Sequence, residues 1–105
     1  MLPSDPKERA KSIEFHLRMG FKLSGPEDKI VSRFTFKSAL KKLYHWQHSS
    51  TECFSDLLFV LIGKADVNNL QRLNIAFPEY VLAYSVWYYS DDPDKLFENW
   101  EIDHD

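Results

Sequence analysis

The sequence predicts an all-α fold, a small single-domain bundle of about five to six short helices spanning residues 1–105. Three observations carry that expectation. Apolar residues recur three and four positions apart along most of the chain. Asp, Ser and Pro stand where helices would begin. Only three glycines occur in 105 residues, too few for the many tight turns of a β-sandwich. A chain of this length, 44% hydrophobic and 28% charged, can bury a core without staples and lies outside the disordered range.

Asp5-Pro6-Lys7-Glu8 forms a helix start: Asp5 caps, Pro6 suits the first helical position and Glu8 takes the capping-box position. Ala10, Ile13 and Leu17 then line one face, and Gly20 stops a first helix over about 6–19. His16 falls on its solvated face. Residues 21–36 are ambiguous. Gly25-Pro26-Glu27-Asp28 serves either as a turn between strands at 21–24 and 29–33 or as a helix start, and the spacing of Ile30, Val31 and Phe34 favours the helix. From Thr35 the helical pattern is firmer, with Phe36, Leu40, Leu43 and Gln47 on one stripe flanked by Ala39, Tyr44 and Trp46.

Ser49 and Glu52 form the next capping box, opening a helix at about 52–63. Phe54, Leu57, Leu58, Leu61 and Ile62 make its broad apolar face, with Cys53 and Val60 at the edge. Glu52, Ser55, Asp56 and Gly63 make a polar strip on which Phe59 intrudes. This helix is expected at the centre of the core. Asp66 caps a further helix lined by Leu70, Leu73 and Phe77, and Pro78 starts another through about Ser90. There Tyr80, Ala83, Tyr84 and Trp87 lie opposite Leu82, Val86 and Tyr89, so one side needs a cover beyond the core. A last helix carrying Leu96, Phe97 and Trp100 can fold back as that cover. Residues 101–105 are expected to fray.

The run Leu57-Leu58-Phe59, Leu61-Ile62, Lys64-Ala65-Asp66, Asn69, Arg72-Leu73, continued by Ala76-Phe77-Pro78-Glu79, Val81, Ala83-Tyr84 and Trp87, carries a resemblance. Residues 57–87, about a third of the chain, resemble small uncharacterised helical proteins of bacteriophages, prophages and other mobile elements. The resemblance implies a bacterial or phage setting and brings no activity and no site residues with it.

Chemistry-bearing patterns are sparse. The glycines at 20, 25 and 63 are too scattered for a phosphate loop, and no serine has a nucleophile-elbow setting. Cys53, the one cysteine, reads as a buried and inert thiol in a reducing compartment. His45, His48, Cys53 and His104 lack the paired spacing of a structural zinc site, and Asp91, Asp92 and Asp94 lack the glycine and glutamate of a calcium loop. Neither an enzyme nor a metal or other cofactor is expected. The longest apolar run is far short of a membrane span and the N-terminus lacks a signal-peptide shape, so the expectation is a cytoplasmic protein.

The chain total of −3 hides a split, with residues 1–50 basic and residues 51–105 acidic. The plainer reading is that the halves answer each other across the surface. Three functions follow. The leading one is a protein-interaction module or small regulator acting on a bacterial host protein or on a second copy, with Tyr80, Tyr84 and Trp87 as anchors. The alternatives are a nucleic-acid binder using Lys37, Lys41 and Lys42 with Tyr44 or Trp46 to stack, and a nucleotide-sized ligand binder between aromatic helices.

Overall fold

The computed structural model describes residues 4–25, 29–48 and 53–102. It is an all-α bundle: six helices among the described residues, with one very small sheet. Helix α1 runs Pro6–Arg18, and the Asp5 carboxylate accepts the Lys7 N–H at 2.9 Å. Its far end closes as the sequence implies. Gly20 takes φ 97°, the left-handed region that a Cβ disfavours. The Gly20 N–H then reaches the Leu17 carbonyl, and the Phe21 N–H the His16 carbonyl, each at 3.0 Å.

Residues 21–32 depart from the helical expectation. β1 (Leu23–Ser24) and β2 (Ile30–Val31) pair antiparallel, Leu23 opposite Val31 and Ser24 opposite Ile30. The β-branched pair decides the matter by alternation: Val31 enters the core while Ile30 faces out. The helix start lies further on, at Ser32. There the Ser32 N–H donates to Thr35 Oγ1 and the Thr35 N–H donates to Ser32 Oγ, a reciprocal cap. Pro26, on which the rival helix start rested, lies outside the described residues. Phe34, expected on the apolar face, is 82% exposed.

Helix α2 (Arg33–His48) buries Phe36, Ala39, Leu40, Leu43 and Tyr44, whereas Gln47 at the end of the expected stripe is exposed. Helix α3 (Phe54–Lys64) is followed by α4 (Val67–Ala76), where Asp66 caps by accepting the Asn69 N–H at 2.8 Å. None of the residues of α4 is fully buried; Leu70, Leu73 and the following Phe77 are only partly covered. The Ser49–Glu52 capping box lies outside the described residues.

The centre of the bundle is α5 (Pro78–Tyr88), not α3 as expected from hydrophobicity. It packs against α1, α2, α3 and α4 alike. Apolar residues on every side suit a helix surrounded by neighbours, and the small Ala83, wholly buried, lets them approach closely. Helix α6 (Pro93–Asn99), capped by Asp92, buries Leu96 and Phe97. It covers α2 rather than the aromatic side of α5: Phe97 meets Tyr44 edge-on at 4.9 Å, and Trp100 lies 4.9 Å from Phe36. The chain does not fray at 101. Glu101 adopts φ 56°, and the Ile102 N–H reaches back 2.9 Å to the Phe97 carbonyl, which seats Ile102 in the core. Residues 103–105, with His104, lie outside the described residues.

Candidate functional site

Helix α3 is turned about its axis relative to the sequence expectation. Ser55, Asp56, Leu58, Phe59 and Ile62 face inward, so Ser55 and Asp56 of the expected polar strip are buried together with the Phe59 that intrudes on it. The outward side carries Phe54 (69% exposed), Leu57 (54%), Leu61 (53%) and Val60 (38%). At 3.6 residues per turn these four fall within an arc of about 120°, with Lys64 inside the same arc. Two polar anchors account for the turn. The Asp56 carboxylate accepts the Cys53 N–H at 3.2 Å and lies 3.3 Å from His45 Nδ1, which pins the start of α3 to the end of α2. Phe59, the lone aromatic on the strip, stacks on Trp46 of α2 at 5.6 Å and meets Tyr80 edge-on at 5.6 Å. An apolar side chain occupies almost every turn of α3, so the wheel alone could not say which side faces in. Phe59 and the cap position of Asp56 were the available signals.

The proposed anchors Tyr80, Tyr84 and Trp87 are brought together, each partly buried. Trp46 joins them, lying 6.3 Å from Tyr84 and 5.9 Å from Trp87. Burial raises the Tyr84 phenol above its ordinary range. Its hydroxyl rests against Gly63, where a Cβ would stand 2.8 Å away. Because Gly63 is exposed, the outward face of α3 adjoins the aromatic cluster across that residue. Tyr88, stacked on Tyr84 at 6.1 Å and 63% exposed, extends the surface beyond it. On the opposite side of α5, Leu82 lines a cleft shared with α1 and the hairpin, while Val86 and Tyr89 line one shared with α1 and α6.

The residues named for nucleic acid are differently placed. Lys42 Nζ donates to the Tyr80 hydroxyl at 2.8 Å and lies over its ring, Lys41 is exposed and Lys37 partly covered. Tyr44 is buried, stacked on His48 at 4.0 Å, and Trp46 spends its faces on Phe59 and Tyr84. Part of the charge split is answered within the chain. Lys7 and Lys11 of α1 both pair with Asp91, whose carboxyl is thereby held below its usual range while Lys7 is raised. A cleft of about 370 Å³ opens elsewhere, between α1, the end of α5 and α6, and not between the aromatic rings.

Cys53 is exposed, not buried, because it precedes the first turn of α3 instead of lying within it. His45 and Cys53 do come together, joined by Asp56, whereas His48 turns to the Tyr44 carbonyl at 3.0 Å. Among the described residues no helix is long and apolar enough to cross a membrane. No family model, no curated protein and no solved structure matches the chain.

Proposed function

We propose that this chain is a non-enzymatic protein-interaction module whose contact surface joins the outward face of α3 to the Tyr84–Tyr88 edge of α5. The observation that carries the reading is the exposure of Phe54, Leu57, Val60 and Leu61 on one side of one helix. Contiguous apolar surface of this kind marks interaction sites in soluble proteins, and Tyr adds the amphipathic contact that interfaces favour. Tyr80 and Trp87 act behind the surface, as the packed base on which it rests. The resemblance of residues 57–87 to phage and mobile-element proteins supports a bacterial partner protein.

Leu57→Asp combined with Leu61→Asp tests the reading, since both side chains are more than half exposed. Exposed substitutions cost little, so the melting temperature should stay within about 4 °C. Sedimentation velocity over a concentration series, together with crosslinking in bacterial lysate, should show wild-type complexes that the double variant lacks. Equal association by both proteins, or none by the wild type, overturns the proposal. Nucleic acid gains no comparable support, because the aromatics available for stacking are already packed against protein rings.

A further inference from the structure

The end of α2 and the beginning of α3 bring three unlike donor groups to one point. A His45 ring nitrogen, Cys53 Sγ and an Asp56 carboxylate oxygen all lie within 4.8 Å of one another, and His45 Nδ1 stands 3.3 Å from Asp56 Oδ1. One sulfur and two N/O ligands held about 2.0–2.3 Å from a tetrahedral ion stand roughly 3.3–3.6 Å apart, so the widest pair has to close by at most about 1.3 Å. We infer that His45, Cys53 and Asp56 form a binding site for a thiophilic divalent cation of the zinc class, with its fourth position open to solvent.

The donor set selects the ion. A thiolate with an imidazole suits zinc and its neighbours, whereas magnesium and calcium take all-oxygen shells. The support around the donors matches what a metal site requires. Asp56 is buried and its Oδ2 accepts the Cys53 N–H, which orients Oδ1 toward His45 as an outer hydrogen bond orients a ligand. His45 and Cys53 are exposed, which provides both an entry route and the open position. The start of α3 disfavours a bare cation but favours the thiolate, and binding releases the thiol proton to solvent. The bland alternative is that His45 and Asp56 merely buttress the α2–α3 junction, with Cys53 a bystander.

The test uses untagged, chelator-treated full-length protein titrated with Co²⁺ and then Zn²⁺. The expected result is one Co²⁺ per chain, with a thiolate-to-cobalt charge-transfer band and d–d bands of tetrahedral intensity, all abolished by Zn²⁺. Cys53→Ser should remove the charge-transfer band, and both Cys53→Ser and His45→Gln should weaken Zn²⁺ binding by at least about tenfold. Both positions are exposed, so circular dichroism of the metal-free variants should match wild type. Weak six-coordinate cobalt bands without charge transfer, or Zn²⁺ bound equally by wild type and Cys53→Ser, would overturn the site. Its loss would leave the docking face untouched, since none of the three donors belongs to it.

Discussion

Asp56 is the residue whose surroundings have the most consequence. Burial pushes its carboxyl upward, but the Cys53 N–H, the His45 ring and the Cys53 thiol together outweigh that and hold it below the usual carboxylate range. A carboxyl lowered in the folded state stabilises the fold above its unfolded pKa of about 3.9, and that contribution disappears as pH falls through the folded value. In chelator-containing buffer, Asp56→Asn should therefore be less stable than wild type at neutral pH. The gap should narrow as the pH drops below about 4, where the carboxyl of the unfolded chain protonates while the folded one holds its charge to lower pH. Urea midpoints across the acid range measure it, and two parallel profiles would show that the carboxylate charge does not contribute. Such a role could not be read from the sequence. Asp56 looked like one member of a polar strip, and its partner His45 belongs to the preceding helix.

At the scale of the element, α3 separates hydrophobicity from burial. Leu57 and Leu58 are chemically identical neighbours, one 54% exposed and the other 5%. Leu58→Ala should cost about 2–5 kcal/mol, as a buried truncation does, while Leu57→Ala should stay near 0.5 kcal/mol. Chemical denaturation of the two variants measures the difference, and equal costs would mean that α3 is turned otherwise. The comparison also marks where periodicity stops being informative. On α1 and α2 a single apolar stripe faces a charged side, and Ala10, Ile13, Leu17, Phe36, Leu40 and Leu43 were all legible as core. On α3 the stripe nearly encircles the helix, and the choice between faces passes to Asp56 and Phe59. Over 21–32 the spacing of Ile30, Val31 and Phe34 fitted a helix, yet Val31 and Ile30 alternate in and out as strand residues do, and the reciprocal Ser32–Thr35 cap starts the helix after them.

Across the whole molecule the aromatic residues connect α2, α3 and α5. Trp46, Phe59, Tyr84 and Trp87 form one cluster, so Tyr84 and Trp87 support the fold as well as bordering its surface. Replacing both with Ala should lower stability by about 3 kcal/mol or more, less than two full core truncations because each ring is only partly buried. Thermal unfolding followed by near-ultraviolet circular dichroism reads both the loss and the cluster itself. A double variant as stable as wild type would detach the cluster from the fold. The helical period placed Tyr84 and Trp87 on one side of α5, as observed, but could not say what covers the other. Leu82 faces α1 and the hairpin across one cleft and Val86 faces α1 and α6 across another, residues too distant in the chain for local pattern to pair them.

The central position of α5 bears on how the chain is made. Helix α1 leaves the ribosome long before residues 78–88, yet its apolar face rests partly on α5. Until Pro78–Tyr88 has emerged, α1, α2 and α3 can meet one another, but the faces they turn toward α5 have no cover. Synthesis at roughly 5–20 residues per second makes that interval a matter of seconds. A nascent chain of that length lacks the helix at the centre of the bundle, so its core is expected to close only once α5 has emerged.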